Sequence, residues 1–147
     1  DLYVANDYGR NNLYQNNGGK FVDVAKELGV EDMSAGMSVS WGDYNRDGFP
    51  DLYVSNMFSS AGNRITYQRQ FKSGVDSNLL SDFRRHARGN SLFQAVSGKS
   101  FKDVSEAVNV TMGRWAWGSR FADIDNDGWL DILVANGFIT APDSGDL

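Results

Sequence analysis

A six-residue segment occurs three times in the chain and narrows the folds that the chain can adopt. Its copies are DLYVAN at residues 1–6, DLYVSN at residues 51–56 and DILVAN at residues 131–136. Apolar side chains alternate within each copy, as Leu52 and Val54 do, and a period of two indicates a β-strand. The first two copies begin 50 residues apart and the last two begin 80 residues apart. Such spacings predict repeat units of a few strands each, as in propeller blades.

Other segments align within the same repeat. LYQ at residues 13–15 corresponds to LFQ at residues 92–94, and the pattern Phe-x-Asp-Val occurs at residues 21–24 and again at 101–104. We therefore predict an all-β fold, a β-propeller of four-stranded blades that is present as a fragment of about two to three blades. The predicted units are residues 1–50 and 51–130, the start of a third at 131–147, and an insertion at 57–89.

Two loops carry oxygen ligands at alternate positions, which is the pattern of a calcium loop. In calcium loops of the EF-hand type, side-chain oxygens stand at positions 1, 3 and 5, a Gly at position 6, a backbone carbonyl at position 7 and a further oxygen at position 9. We call residues 43–51 the first loop and residues 123–131 the second loop. The predicted ligands are Asp43, Asn45, Asp47, the Phe49 carbonyl and Asp51, then Asp123, Asp125, Asp127, the Trp129 carbonyl and Asp131.

Neither loop is an EF-hand, because position 12 lacks the usual bidentate Glu. Val54 and Val134 stand there, and the flanking residues have strand patterns. The sequence thus predicts two Ca²⁺ sites on β-hairpins, with water or a neighbouring group completing each shell. Asp1 occupies the same place in its segment as Asp51, so we interpret it as the last ligand of a third, truncated site.

Composition excludes several classes of protein. The formal net charge is -5, and seven of the nineteen carboxylates lie inside the two loops, so we interpret these carboxylates as metal ligands. No basic surface that would bind nucleic acid is evident. Cys is absent, which excludes disulfides and thiolate sites. No apolar run approaches 18 residues, so no transmembrane segment is predicted.

The insertion is the other informative segment, because it carries six of the fourteen basic residues: Arg64, Arg69, Lys72, Arg84, Arg85 and Arg88. Asp76 or Ser77 is a candidate cap for a helix that ends at Gly89. Leu79, Leu80 and Phe83 are expected to pack against the sheets. The insertion leaves the strand about 17 Å from the first loop, on the opposite face. It is a candidate site for a protein partner or an anionic glycan, and the alternative is a solvated loop.

These motifs resemble the FG-GAP/VCBS repeats of integrin alpha-like β-propellers, and among these the ASPIC-type family related to cartilage acidic protein. The resemblance rests on WGDYNRDGFPDLYVSN at 41–56, NNLYQNNGGKFVDVA at 11–25, and RGNSLFQ with FKDVS at 88–105. It implies a calcium-stabilised propeller, usually of seven blades, that is extracellular, periplasmic or on the cell surface. It also implies a role in adhesion, ligand binding or scaffolding, with the remaining blades or neighbouring chains as partners.

No acid, base or nucleophile lies beside the loops, and His86 is the only His, so we predict a non-catalytic binding or scaffold module. Two alternatives stay open at this point. One is an accessory subunit or domain of a larger enzyme or electron-transfer complex. The other is a propeller lyase or hydrolase that uses the face opposite the loops.

Overall fold

The structure, a computed structural model, describes residues 1–137 and contains nine strands and three helices in that range. The strands are β1 (Leu2–Val4), β2 (Asn12–Asn17), β3 (Lys20–Asp23), β4 (Gly36–Gly42), β5 (Asp51–Asn56), β6 (Ser91–Val96), β7 (Ser100–Asp103), β8 (Ala116–Ala122) and β9 (Asp131–Asn136). The helices are α1 (Ala25–Leu28), α2 (Ser60–Thr66) and α3 (Ser77–Arg88). The predicted third unit begins with β9, and residues 138–147 lie outside the described part.

The strands form three antiparallel sheets, in the orders β1-β2-β3, β4-β5-β6-β7 and β8-β9. The predicted all-β fold is therefore confirmed, in the form of several antiparallel sheets. The middle sheet has four strands in chain order and begins with β4, one strand before the start of the predicted unit 51–130. It meets the last sheet along β4 and β8, where the hydroxyls of Ser38 and Ser119 lie 3.1 Å apart. Between β5 and β6 the chain forms α2 and α3, which are the predicted insertion.

Strand β5 lies at the centre of the fold and is buried on both faces. Leu52 and Val54 pack with Tyr3 of the first sheet in one apolar cluster. Tyr53, which points to the other face, packs with Phe121 of the last sheet in a second cluster. The alternation in the sequence predicted one apolar face, and the structure shows that the intervening aromatic residue fills a second core.

The repeat seen in the sequence is also a repeat of hydrogen bonds. The Tyr3 hydroxyl donates to the Val30 carbonyl at 2.8 Å, and the equivalent Tyr53 hydroxyl donates to the Val110 carbonyl at 3.2 Å. Burial raises the pKa of Tyr53 to about 12, so its hydroxyl keeps the proton that it donates. Each tyrosine hydroxyl thus ties the first strand of its predicted unit to the connection between that unit's third and fourth strands.

Asp1 makes the same hydrogen bond as Asp51. The backbone N–H of Asn16 donates to Asp1 Oδ1 at 2.9 Å, and that of Ala95 donates to Asp51 Oδ1 at 2.8 Å. Asp1 immediately precedes β1 and Asp51 begins β5, and each donor belongs to the strand that pairs with that strand. The equivalence that the sequence assigns to these two aspartates is therefore present in the geometry, and the third metal site itself stays a prediction.

Helix α3 begins where its cap was predicted, since Asp76 Oδ1 accepts from the Asn78 backbone N–H at 2.7 Å. The prediction that the apolar side of this helix packs against the sheets is wrong. The Phe83 ring packs edge-on against Phe71, also in the insertion, at 5.6 Å, and Leu79 is 43% exposed. Within residues 1–137, no helix combines the length and the apolar character needed to cross a membrane.

Instead, α3 is fixed to the sheets by ion pairs. Arg85 Nε lies 2.9 Å from Asp32 Oδ1, and Arg85 Nη1 lies 2.7 Å from Asp103 Oδ2. Arg88 adds a contact of 2.9 Å to the same Asp103 oxygen. Asp32, in the connection before β4, is fully buried, and Asp103 ends β7. Because these aspartates belong to different predicted units, the insertion joins the two units.

Because of these contacts, the free energy of unfolding varies with pH in the acid range. Burial alone would raise the pKa of Asp103, but the Ser105 hydroxyl, Arg85 and Arg88 lower it to about 2. A depressed folded-state pKa stabilises the fold above the unfolded value of about 4, and this stabilisation is lost as pH falls toward 2. We expect a loss of about 2 kcal/mol in unfolding free energy over that range.

Denaturant unfolding at several pH values checks this dependence. The comparison variant is Asp103→Asn, which has no carboxyl group to titrate at this position. The stability difference between the native protein and the variant should shrink as pH falls from 5 to about 2. A difference that is constant with pH would contradict the assignment.

Candidate metal centres

The two loops lie at the same end of the sheets. The first loop joins β4 to β5 after the pair Gly42 and Asp51, and the second joins β8 to β9 after the pair Ala122 and Asp131. The register of each hairpin therefore brings the last aspartate of a loop beside the residue that precedes its first aspartate. The first and the last predicted ligand of each loop therefore lie close to one another.

The backbone follows the same path in both loops. Arg46 and Asn126 have φ values of 59° and 62°, and Gly48 and Gly128 have φ values of 87° and 86°. Left-handed backbone at two positions of one turn strains most L-residues, and Gly relieves that strain at the second. The Gly predicted at position 6 is thus required by the conformation of the turn.

The first aspartate of each loop organises the turn through both carboxylate oxygens. Asp43 Oδ1 accepts from the Asp47 N–H at 3.0 Å, and Asp43 Oδ2 accepts from the Gly48 N–H at 2.9 Å. Asp123 accepts from Asp127 and Gly128 at 3.1 and 3.0 Å. These bonds hold the loop closed around the alternating side chains.

The other side chains also occupy matched places. Asn45 Oδ1 accepts from the Asp47 N–H at 3.1 Å, and Asp125 Oδ1 accepts from the Asp127 N–H at 3.2 Å. Asn45 therefore presents its oxygen where the second loop presents a carboxylate. The two predicted ligand sets therefore differ by one negative charge.

The last aspartates differ in their surroundings. Asp51 Oδ2 accepts from the Tyr44 N–H at 3.2 Å, and Asp131 Oδ2 accepts from the Ile124 N–H at 3.0 Å. Asp51 is fully buried and accepts a further bond from Ala95 in β6, whereas Asp131 is half-buried. Asp51 is consequently part of the core as well as a candidate ligand.

The second loop fits a divalent cation. Within residues 1–137, Asp123, Asp125 and Asp131 each offer a carboxylate oxygen, and the three oxygens lie within 4.8 Å of one another. Oxygens that bind one Ca²⁺ at 2.3–2.6 Å stand at most about 5 Å apart, so this spacing suits calcium. Asp127 is not in that group, and its Oδ1 accepts from the Trp129 N–H at 2.7 Å.

The first loop repeats this arrangement with fewer charges. Asp47 Oδ1 accepts from the Phe49 N–H at 2.9 Å, as Asp127 does from Trp129, and Asp47 Oδ2 accepts from Asn45 Nδ2 at 2.8 Å. The atoms that this loop offers to a metal are hard oxygens, and calcium prefers such ligands. The Phe49 and Trp129 carbonyls stay predicted ligands.

Sequence reasoning missed a contact between the two loops. The guanidinium of Arg46 lies 5.0 Å from the centroid of the Trp129 ring, in a cation–π arrangement. Nothing in the spacing of either loop indicates this pair, because it depends on β4 and β8 lying side by side. The two candidate metal centres are therefore adjacent.

The opposite end of the strands holds a cavity of about 450 Å³. Its lining comes from the loop after β1, the start of β4, the insertion and the residue before β8, and includes Asp7, Tyr8, Phe58, Ser59, His86 and Trp115. This is the face on which the insertion was predicted to lie. His86, whose role the sequence left open, lines this cavity.

Most of the basic residues in the insertion are already engaged. Arg85 and Arg88 form the ion pairs with the sheets. The Arg84 guanidinium lies 4.5 Å from the Tyr67 ring centroid, and Lys72 Nζ lies 4.1 Å from that of Phe83. The ion pairs offset the charges of Arg85 and Arg88, whereas the ring contacts of Arg84 and Lys72 leave their charges unneutralised.

Comparison with known proteins gives consistent matches. The family model described as FG-GAP-like repeat matches residues 1–54 and 80–134. Cartilage acidic protein 1 of Xenopus tropicalis is 43% identical over 138 residues, and the human protein of that name is 41% identical over 138 residues. The mouse protein is 28% identical over the same length. Each alignment covers 92% of this chain and 17% of the relative, so the chain spans about a sixth of these relatives.

Proposed function

The chain belongs to the FG-GAP-like repeat family, and we propose that it forms part of a calcium-stabilised β-propeller that acts as an extracellular or periplasmic binding or scaffold module. The observation that carries this proposal is the matched geometry of the two loops. In the second loop three carboxylate oxygens converge within 4.8 Å. The family match falls in two parts, residues 1–54 and 80–134, and omits most of the insertion.

The ligands that would hold calcium are those predicted from the sequence. In the first loop they are Asp43, Asn45, Asp47, the Phe49 carbonyl and Asp51, and in the second Asp123, Asp125, Asp127, the Trp129 carbonyl and Asp131. A bound divalent cation neutralises carboxylates that otherwise repel one another within one turn. We therefore assign the ions a structural role, in which each loop keeps its hairpin closed.

The propeller arrangement is supported by the stacking of the sheets. Strand β5 is buried between two neighbouring sheets, as a strand within a closed ring of blades would be. In β9, which carries the same motif, Leu133 is 46% exposed. Further blades of the same protein would cover such surfaces, and the equivalence of Asp1 with Asp51 supports a third calcium site ending at Asp1.

We assign no catalytic role to the chain and place its binding function on the face opposite the loops. The cavity at that face brings the insertion together with loops from both units. The repeats, and relatives named for cartilage, support a position outside the cytoplasm. In this account the metal centres maintain the scaffold, and the opposite face contacts the partner.

Calcium titration by isothermal calorimetry tests this proposal directly. In the full-length protein, Asp43→Ala and Asp123→Ala should each reduce the number of bound calcium ions by one. Glu27→Gln, which changes an exposed carboxylate on α1, should leave that number unchanged. Unaltered stoichiometry in both loop variants would refute the assignment of calcium to these loops.

We also expect the second loop to bind calcium more tightly than the first. It has four carboxylates, whereas the first has three and the neutral Asn45, and ligand charge is one of the factors that tune calcium affinity. The missing Glu at position 12 leaves both affinities near the range of extracellular modules, about 10⁻⁴ to 10⁻³ M. The titration of each single-loop variant reports the remaining site, and the reverse order would contradict this prediction.

A further inference from the structure

The cavity opposite the metal loops has walls that are fixed to one another. Met57 pairs with Trp115 through a backbone bridge, and the Phe58 N–H donates to the Arg114 carbonyl at 2.8 Å. The Met57 N–H donates to the Ala35 carbonyl at 3.0 Å. These bonds join the insertion to the starts of β4 and β8, so the cavity is formed by the fold itself.

The wall formed by Asp7 and Tyr8 is held in the same way. Their turn follows Asn6, whose side-chain Nδ2 donates to the Arg10 carbonyl at 2.7 Å and to Asn12 Oδ1 at 2.9 Å. The backbone N–H of Asn6 donates to buried Asn11 at 2.7 Å. Both ends of the turn are therefore anchored, while Asp7 and Tyr8 are exposed.

The charge of the cavity is unsuited to an anion. Asp7 contributes a carboxylate, and no Lys or Arg is among the residues that line the cavity within the described range. His86 Nδ1 lies 3.0 Å from the Met33 carbonyl, which only accepts hydrogen bonds, so Nδ1 carries a proton. In the neutral ring Nε2 then has the lone pair, and it adds a second acceptor.

The cavity also offers donors and aromatic surface. Ser59 Oγ accepts from the Gly62 N–H at 3.0 Å, which leaves the hydroxyl proton of Ser59 to donate. Tyr8 brings a second hydroxyl, and its ring is 91% exposed. Phe58 and Trp115 add two more rings. A ligand that matches this combination has hydroxyl groups that both donate and accept hydrogen bonds, on a carbon framework with apolar C–H faces.

We propose that this cavity binds a neutral saccharide, with sugar hydroxyls donating to Asp7 and His86 and a sugar ring packing on the aromatic side chains. The proposal deepens the binding role given above and rests on it. An acidic sugar is disfavoured by Asp7. A purely cationic ligand would use the acceptors and leave the serine hydroxyl without a distinct role.

An oligosaccharide array that carries neutral, sialylated and sulfated glycans tests the proposal with the full-length protein. The variants are Asp7→Asn, which keeps the shape and removes the charged acceptor, and Tyr8→Ala, which removes a ring. Glu27→Gln is the matched control for loss of an exposed carboxylate. The native protein should retain neutral glycans, and each cavity variant should weaken binding about tenfold, with the control unchanged.

The proposal would be overturned by retention of acidic glycans alone, by retention of none, or by neutral glycan binding that Asp7→Asn and Tyr8→Ala leave intact. Binding of a lysine-rich or arginine-rich peptide in place of sugars would also overturn it. The same protein samples are unfolded thermally with and without calcium. A calcium-dependent midpoint with no glycan binding would overturn the saccharide inference and leave the metal assignment standing.

Discussion

Replacing Arg85 with Met is expected to lower the free energy of unfolding by about 3–5 kcal/mol, because it leaves the carboxylate of Asp32 buried without its cation. Asp32 is fully buried, and Arg85 Nε lies 2.9 Å from it. Burial alone would raise the pKa of Asp32, and the Coulombic effect of Arg85 contributes most to holding it below its ordinary value. Denaturant unfolding at neutral pH measures the loss.

Two further variants separate the ion pair from a general effect of substitution. Arg64→Met removes an exposed arginine from the other insertion helix and should change stability by less than about 0.5 kcal/mol. Adding Asp32→Asn to Arg85→Met removes the unpaired charge and should recover part of the loss. If the double variant were less stable than Arg85→Met alone, a buried charge would not be the cause.

Replacing Asp51 with Ala is the second change with a large expected effect, a loss of about 4–6 kcal/mol in unfolding free energy when calcium is present at 100 times its dissociation constant. One part comes from the Ala95 N–H in β6, which loses its acceptor inside the core, at about 1–3 kcal/mol. The other part comes from the lost calcium ligand, at about 2.7 kcal/mol if calcium is present at 100 times its dissociation constant. Unfolding of the variant with and without chelator distinguishes the two parts.

Asp131→Ala is the matched control, because Asp131 holds the same place in the second loop and is only half-buried. Asp131→Ala should lose the stability that bound calcium contributes. It should lose little stability from hydrogen bonds inside the core. In chelator, therefore, Asp51→Ala should remain less stable than Asp131→Ala by about 1–3 kcal/mol. Equal stabilities in chelator would show that the bond to Ala95 contributes nothing.

Local features were predictable from the sequence because they depend on residues close together in the chain. The pattern Asp-x-Asp/Asn-x-Asp-Gly contains its own turn, and both loops adopt the same left-handed conformations. The cap of α3 at Asp76 is likewise local. The strands followed from the repeated alternation, since a period of two is a property of neighbouring residues.

The features that were missed depend on which elements meet in space. Alternation shows that Leu52 and Val54 share one face, but it does not show that a second sheet covers Tyr53. The basic residues of α3 suggested a surface for an anion, whereas Arg85 and Arg88 face carboxylates more than ten residues away in the chain. The contact of Arg46 with Trp129 depends on two neighbouring loops whose packing no single segment encodes.

The central claim is that calcium in the two loops holds the fold together, and thermal unfolding with and without a calcium chelator tests it most directly. The unfolding midpoint of the full-length protein should fall on chelation and return when calcium is added back in excess. A variant carrying Asp43→Ala and Asp123→Ala should show a smaller response than the native protein. An identical midpoint with and without chelator would contradict a structural role for calcium.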